Sequence, residues 1–115
     1  MRLKEKVAII TGASGGIGEV TAKKFVTEGA KVVIVDLKKE DVDRTVLDLQ
    51  RIGGEVIGFA ADVTKREQVE QFINDTVSHF GRVDVVVNNA GITQDAQLIK
   101  MTEDQWDRVI DVNLK

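Results

Sequence analysis

Short apolar runs alternate with longer amphipathic stretches along most of this chain. Four runs are rich in β-branched residues and have the length of strands, at residues 6–11, 31–36, 55–61 and 82–87. Between them, three stretches carry apolar side chains every three or four residues and stop at glycine. They predict helices over residues 16–28, from 38 or 40 to 51, and over 64–80. Because this alternation is typical of βαβ units, we predict one α/β domain over residues 1–115.

Each predicted helix has an apolar face that we expect to pack on the sheet. In the first helix this face consists of Ile17, Val20, Thr21 and Phe25. In the next two it consists of Val42, Val46 and Leu49, and of Val69, Phe72, Ile73, Thr76, Val77 and Phe80. Thr64 and Glu67 have the spacing of a capping box at the start of the third helix. Thr102 is the expected N-cap of a fourth helix, whose apolar contacts are Trp106, Val109, Ile110 and Leu114.

A glycine-rich turn, with the sequence TGASGGIG from Thr11 to Gly18, joins the first strand to the first helix. Glycine permits positive φ and close approach of the backbone to a ligand. The first turn of a helix offers unpaired N–H groups and the positive end of the helix dipole. The turn therefore predicts a site for a phosphate group.

Polar residues follow every predicted strand: Thr11 and Gly12, then Asp36, then Asp62, then Asn88 and Asn89 with Ala90 and Gly91. Because the carboxyl ends of parallel strands meet at one edge of the sheet, we expect these residues to lie together. Open α/β sheets bind their ligands at that edge, near the point where the strand order reverses.

Asp36 lies about 20 residues after the glycine turn, where a ribose-binding acid is expected. A carboxylate there can accept both adenosine ribose hydroxyls and would repel a 2′-phosphate, so we predict NAD as the cofactor in preference to NADP. No Arg occupies the turn or position 37, although Lys38 and Lys39 could offer partial compensation. The alternative is that Asp36 only caps the following helix.

Composition narrows the classes of function. The net charge of −3 and the pI near 5.2 give no support to nucleic-acid binding or to a basic membrane-binding surface. With no Cys and with His79 as the single histidine, a zinc site is not expected. The charged N-terminal residues do not resemble a signal peptide, and no apolar run has membrane-spanning length. We expect a cytoplasmic protein.

Together these motifs resemble the N-terminal half of the short-chain dehydrogenase/reductase family. The resemblance rests on the glycine spacing of residues 11–18, Asp36, Asp62-Val63, Asn88 to Gly91, and Asn113. Residues 91–103 and 106–115 are most similar to the 3-oxoacyl-acyl-carrier-protein reductases of fatty acid synthesis. The family fold implies a three-layer Rossmann-type sheet, of which this chain would hold about four strands in the order 3-2-1-4.

The resemblance also implies roles for individual residues. Gly12, Ser14, Gly16, Ile17 and Gly18 would surround the pyrophosphate of the cofactor. Asp36 would bind the adenosine ribose, Asp62 and Val63 the adenine, and Asn89, Ala90 and Gly91 the other flank. Asn113 matches the active-site Asn of the family, which holds a helix distortion and a water of the proton relay; alternatively it is an ordinary helix residue.

The resemblance implies that the catalytic Ser, Tyr and Lys come from a C-terminal half, which we expect these 115 residues to lack, and the sequence contains no Tyr. We therefore predict that these 115 residues are catalytically inert alone. The chain would be the cofactor-binding half of an oxidoreductase, a stand-alone adenine-nucleotide module, or a self-associating unit with an empty site. We expect a homo-oligomer, formed either through Val83–Val87, which truncation would leave as an edge strand, or through the Trp106 helix. The alternative is that the loop from Thr93 to Met101 covers this edge.

Overall fold

The computed structural model describes residues 3–89 and the backbone of residues 110–113. The strands are β1 (Val7–Thr11), β2 (Lys31–Asp36), β3 (Val56–Ala60), β4 (Val85–Asn88) and β5 (Ile110–Asn113). The helices in this part of the chain are α1 (Gly16–Thr27), α2 (Lys39–Arg51) and α3 (Arg66–Phe80). Glycines with positive φ follow each helix, at Gly29, Gly53 and Gly81, as the sequence predicts.

The five strands form one parallel sheet in the order β3-β2-β1-β4-β5. The predicted order 3-2-1-4 is confirmed, and β5 adds a strand beyond it. Strand order reverses beside β1, because the chain leaves β3 at one edge and returns on the other side of β1. A ligand-binding crevice is expected at this reversal.

Apolar side chains of β1 and β2 alternate between the two faces of the sheet. Ala8 and Ile10 pack in a core with α1 and α2, whereas Ile9 packs in a second core with α3. Both cores are buried, so the described part of the chain has the predicted three layers. Gly58 in β3 has a packing role, because a β-carbon there would lie 2.4 Å from a methyl group of Val42 in α2.

The predicted apolar face of α1 is wrong in part. Ile17 and Val20 are 60% and 70% exposed, and the buried residues of the helix are Gly18, Ala22 and Val26. Gly18 faces the backbone of Gly12 at the end of β1, and this contact sets which side of the helix faces inward. Ala22 and Val26 lie on the same side and pack in the core with β1, β2 and α2.

The predicted capping box at the start of α3 is also wrong. The helix begins at Arg66, and its N-cap residue is Lys65, which makes no side-chain cap hydrogen bond. The Thr64 hydroxyl instead donates to Asp62 Oδ1 at 2.6 Å. This bond turns the Thr64 hydroxyl toward Asp62, and Thr64 lies one residue before the N-cap of the helix.

The predicted fourth helix does not extend over residues 110–113, because these residues form β5. The segment alternates β-branched and polar residues, a pattern that suits a strand, and it pairs with the open edge of β4. Consequently β4 is an internal strand, not the expected edge. Thr102, Trp106, Val109 and Leu114 lie outside the described residues.

The start of β4 is fixed by a buried carboxylate. Asp84 is 8% exposed, and its Oδ2 accepts a hydrogen bond from the amide of Val7 at 2.8 Å. Its own amide donates to the carbonyl of Val7 at 2.9 Å. Arg82 donates from two nitrogens to Oδ1, at 2.6 and 3.1 Å. These bonds join the start of β4 to the start of β1, at the end of the sheet opposite the polar strand ends.

Candidate functional site

The polar residues that follow the strands converge at the carboxyl edge of the sheet, as predicted. They border a cleft of about 420 Å³. Its lining residues are Gly12, Val35, Asp36, Leu37, Ala61, Asp62, Val63, Thr64 and Asn89. Residues from four different segments of the chain therefore share one site.

The glycine turn folds back over the end of β1. Gly12 has a φ of 62° and donates its amide to the Val35 carbonyl at 2.8 Å, while Gly16 has a φ of 56°. A β-carbon on Gly15 or Gly16 would have no atom of the described residues within 4 Å, so among these residues space is open beside the turn. The N-cap Gly15 provides no side-chain cap for α1. Within the part of the chain that the structure describes, the first-turn amides of this helix have no capping side chain, which leaves an anion-binding end.

Asp36 is bound to the glycine turn at the end of β2. Its Oδ2 accepts from the amide and the hydroxyl of Ser14, at 3.0 and 2.5 Å. Its Oδ1 accepts from the Leu37 amide at 2.8 Å. All three donors lie outside α2, so these bonds orient the carboxylate toward the turn and do not cap the helix.

The surroundings of Asp36 keep its carboxyl group ionised. Partial burial acts to raise its pKa, but the hydrogen bonds from the Ser14 side chain and from the Leu37 and Ser14 amides outweigh burial. The pKa therefore lies below its ordinary value. At neutral pH this residue is an oriented acceptor with a full negative charge.

Arg44 reaches the site from α2, a contact that sequence reasoning missed. Its Nη2 donates to the carbonyl oxygen of Ser14 at 3.3 Å, and its Nη1 lies 3.7 Å from Asp41. Its position in the interior of a helix gives no sequence signal for a contact with the turn. The glycine turn is thus held between an acid on β2 and a base on α2.

Asp62 and Val63 form the far wall of the cleft. Asp62 Oδ1 accepts from both the amide and the hydroxyl of Thr64, and these two bonds lower the pKa of the carboxyl. The Asp62 amide donates to Gln68 Oε1 at 2.7 Å. Val63 is buried and provides an apolar surface. The roles of Thr64 and Gln68 were not predicted from the sequence.

Asn88 and Asn89 connect β4 to the glycine turn through Thr11. The Thr11 hydroxyl donates to Asn88 Oδ1 and accepts from the Asn89 amide, both at 3.1 Å. The Asn89 side chain donates to the Gly12 carbonyl at 3.4 Å. Ala90 and Gly91 lie outside the described residues. Backbone pairing places Asn113 opposite Asn88 in the strand β5, not in the predicted helix.

The described residues hold neither a metal-binding cluster nor a membrane-spanning helix. Residues 3–89 contain no group of three or more His, Cys, Asp or Glu side chains that could hold a metal ion. None of the described helices is long and apolar enough to cross a membrane. His79 is exposed near the end of α3, and its ring makes an edge contact with Phe80.

A family model described as short chain dehydrogenase matches residues 6–115. The chain belongs to the short-chain dehydrogenase family. A 3-oxoacyl-acyl-carrier-protein reductase from Thermotoga maritima is 47% identical over 115 residues, which are all of this chain and 47% of the relative. A (2S)-[(R)-hydroxy(phenyl)methyl]succinyl-CoA dehydrogenase subunit from Thauera aromatica is 41% identical over the full chain, which covers 46% of that protein.

Solved structures of the same family share the fold. A short chain dehydrogenase/reductase from Burkholderia phymatum in complex with NAD is 35% identical, with a TM-score of 0.76. The match covers 92% of this chain and 38% of that one. A short chain dehydrogenase from Mycobacterium smegmatis matches with a TM-score of 0.75 and 42% identity, over 93% and 45% of the two chains. The chain spans about half the length of the curated relatives it matches.

Proposed function

We propose that this chain binds the adenosine and pyrophosphate portion of NAD at the carboxyl edge of the sheet. The observation that carries the proposal is the Asp36 carboxylate, which is ionised, oriented by Ser14 and Leu37, and placed on the cleft. Oδ2 already accepts two hydrogen bonds, whereas Oδ1 accepts one and has a lone pair left to accept a hydrogen bond from a ribose hydroxyl. Asp36 would therefore hold the adenosine ribose.

The glycine turn would hold the pyrophosphate. Gly12, Ser14, Gly16, Ile17 and Gly18 would surround it. Among residues 3–89, no atom fills the space beside Gly15 and Gly16, and no side chain caps the first-turn amides of α1. These features fit a dianionic group that approaches the backbone closely. When bound, NAD supplies a nicotinamide ring that accepts or donates a hydride.

The adenine would lie against Asp62 and Val63. Val63 offers a buried apolar surface, and Asp62 is held in place by Thr64 and Gln68. Asn89 would form the opposite flank with Ala90 and Gly91. All the side chains proposed for the adenosine end, apart from Ala90 and Gly91, belong to the described residues.

We propose that NAD is preferred to NADP. A 2′-phosphate would bring nearly two negative charges beside the ionised Asp36 carboxylate. The carboxylate would also lose the hydrogen bond that it accepts from the ribose 2′-hydroxyl of NAD. The expected cost of both effects is about 1.5–3 kcal/mol, or about 10–100-fold in affinity.

We propose the oxidoreductase activity for a whole protein of this family, with a 3-oxoacyl-acyl-carrier-protein as its substrate, because the Thermotoga relative is named a reductase of that substrate. Hydride transfer to a ketone needs an acid that protonates the developing alkoxide. We expect the 115 residues alone to lack this acid, with Asn113 as the one member of the family's catalytic set that they supply. Pure chain should show no NADH-dependent reduction of an acetoacetyl thioester above background, and measurable turnover would contradict this.

A second candidate is a stand-alone adenine-nucleotide module without catalysis, because the described residues include nearly the whole proposed adenosine site.

Self-association also stays a prediction, with β5 now at the edge of the sheet in place of β4. Light scattering at high concentration tests it, and a strictly monomeric chain would count against it. The cytoplasmic location is likewise an expectation.

Titration of the full chain with NADH, followed by nucleotide fluorescence, tests the proposed function. We expect saturable binding that 5′-AMP competes away, with NADPH binding about 10–100-fold more weakly. Asp36→Asn should weaken NADH binding, whereas Asp48→Asn, the same change on the exposed side of α2, should leave it unaltered. Equal or tighter binding of NADPH would overturn the NAD preference, and no competition by 5′-AMP would overturn the adenosine site.

A further inference from the structure

Strand β3 forms one edge of the sheet and pairs only with β2 among the described strands. In a parallel ladder each residue turns its N–H and its C=O to the same side, and successive residues alternate. The Glu55 carbonyl accepts from β2 and the Ala61 amide donates to it, which fixes the alternation. Val56, Gly58 and Ala60 therefore direct their backbone groups away from the sheet.

Two glutamine side chains close the ends of this outer edge. Gln50 of α2 donates to the Val56 carbonyl at 3.2 Å, and Gln68 of α3 accepts from the Asp62 amide at 2.7 Å. Between these contacts, the outward amides and carbonyls of β3 have no hydrogen-bond partner among the described residues. They recur at every second residue, which is the spacing with which a further strand pairs.

A small cleft of about 190 Å³ lies beside this edge, on the side of the sheet that α3 covers. Phe59 and Phe72 contribute aromatic surface to it, Gln68 and Gln71 line it with polar groups, and its lining includes no charged residue. Strand addition uses such clefts to select alternate side chains of the incoming strand. This cleft suits one aliphatic side chain.

On the other side of the sheet, α2 presents an exposed apolar residue toward the same edge. Leu47 is 54% exposed and lies one turn before Gln50, whose side chain reaches the Val56 carbonyl. Successive residues of an added strand point alternately to the α3 side and to the α2 side. The stem of a lysine on the α2 side can cover Leu47 while its ammonium group stays in water.

The charges beside this edge are mainly acidic. Glu55 precedes β3, Asp62 follows it, and Asp75 accepts a hydrogen bond from Gln71 in α3. Lys65 partly offsets Asp62, but neither Glu55 nor Asp75 forms a salt bridge with a described residue. The whole chain carries a net charge of −3. A basic segment is therefore complementary to the edge, whereas a second copy of the chain would bring the same acids to it.

We propose that the outer edge of β3 binds an extended, basic segment of another protein by strand addition. The backbone groups of Gly58 and Ala60 pair with the added strand, and one of its aliphatic side chains enters the cleft beside Phe59. Basic side chains at alternate positions lie on the α2 side. The proposal does not depend on nucleotide binding at the carboxyl edge of the sheet.

Amide hydrogen exchange of the full chain, followed by NMR, tests the proposal. The probe is a capped peptide of about seven residues that alternates lysine and valine, which is long enough to span the edge. At a peptide concentration of about ten times the Kd, exchange at the Gly58 and Ala60 amides should slow about tenfold, because pairing withdraws them from water. The Asp62 amide, which is already bonded to Gln68, should not change. Unchanged exchange at Gly58 and Ala60 with about 1 mM peptide overturns the proposal.

Variants at the exposed residue Ala60 test the pairing itself. Ala60→Pro removes one outward donor, and proline is tolerated on an edge strand where the N–H faces away from the ladder. It should weaken peptide binding about 2–10-fold, the value of one hydrogen bond. Ala60→Ser keeps the amide and is the matched control, with the affinity of the native chain. Equal affinities of the two variants overturn strand addition.

The charge of the partner is tested at the same position. Ala60→Lys should weaken binding of the lysine and valine peptide about 2–5-fold, and Ala60→Glu should strengthen it by a similar factor. These variants also replace Ala60→Pro if circular dichroism shows that it is unfolded. Equal affinities of Ala60→Lys and Ala60→Glu, or equal binding of a peptide that alternates glutamate and valine, overturn the basic partner.

The same exchange measurement without peptide tests the alternative occupant. If exchange at Gly58 and Ala60 slows as the concentration of the chain alone rises, a second copy occupies the edge and the assignment to a basic partner is overturned. We expect these two amides to exchange at rates that do not depend on the concentration of the chain.

Discussion

A β-carbon on Gly18 would lie 2.0 Å from the carbonyl oxygen of Gly12, which is far too short for two non-bonded atoms. The first turn of α1 and the end of β1 therefore touch backbone to backbone. The same β-carbon would lie 2.7 Å from the side-chain nitrogen of Asn89. Because Gly18 has no β-carbon, the start of α1, the end of β1 and Asn89 can lie in contact.

Gly18→Ala should destabilise the fold and disrupt the site together. Because the obstructing atoms include a backbone carbonyl, the helix must move, and overpacking of this kind costs about 1–3 kcal/mol. NADH affinity should fall with it. Urea unfolding and NADH titration of the same samples measure both effects.

Gly15→Ala is the matched control for Gly18→Ala. Gly15 has an extended backbone that any residue adopts, and its added methyl group would meet no atom of the described residues within 4 Å. Its stability should stay within about 0.5 kcal/mol of the native chain. If the two variants were equally destabilised, the close contact at Gly18 would not be the cause.

Asp84→Ala should destabilise the sheet at its opposite end. The substitution leaves the fully buried amide of Val7 without its side-chain acceptor, at an expected cost of about 1–3 kcal/mol. Asp84→Asn should cost less, because the amide oxygen can still accept from Val7. Chemical denaturation ranks the two variants by their free energy of unfolding. If Asp84→Asn were less stable than Asp84→Ala, the acceptor oxygen would not be what stabilises the start of β4.

Thr45→Val should stabilise the protein by about 1 kcal/mol. The Thr45 hydroxyl is fully buried and has no hydrogen-bond partner among the described residues, so its desolvation is not compensated there. Thr76→Val is the control, because the equally buried Thr76 hydroxyl donates to the Phe72 carbonyl at 2.7 Å and should not show this gain. Thermal melting compares them, and a loss of stability in Thr45→Val would reveal an acceptor for the hydroxyl.

The stability that Asp36 contributes to the fold should decrease as the pH falls into the acidic range. Its pKa is lower in the folded chain than its ordinary value of 3.8, so the ionised form favours folding. This contribution is fully present above pH 3.8 and is lost as the pH falls through the folded pKa. The difference in unfolding free energy between the native chain and Asp36→Asn should be constant from pH 8 to pH 5. It should shrink below pH 4, and a difference that grows on acidification would reverse the sign of the argument.

The spacing of apolar residues and the positions of the glycines were sufficient to predict most of the fold. The β-branched runs predict four of the five strands, and the glycines that follow each helix mark where it stops, because both signals are local. The convergence of Gly12, Asp36 and Asn89 also follows from the sequence, since parallel strands bring their carboxyl ends to one edge.

The errors arise where tertiary contacts override a local pattern. Ile17 and Val20 have helical spacing, but the backbone contact of Gly18 turns them outward. Residues 110–113 could satisfy a helix pattern, yet the open edge of β4 provides partners for a strand. The contact between Arg44 and the Ser14 carbonyl joins residues distant in sequence and leaves no local signal.

Backbone amide chemical shifts during titration with NAD test the central claim most directly, and a chain of 12.7 kDa suits the measurement. We predict saturable shifts at Ser14, Leu37 and Val63 around the cleft, with Gly54 at the opposite end of the sheet unchanged. Asp36→Asn should weaken the titration, and 5′-AMP should reproduce its adenosine part. If no amide shifts, or if the shifts centre on Gly54 and not on the cleft, the chain does not bind the dinucleotide at this edge.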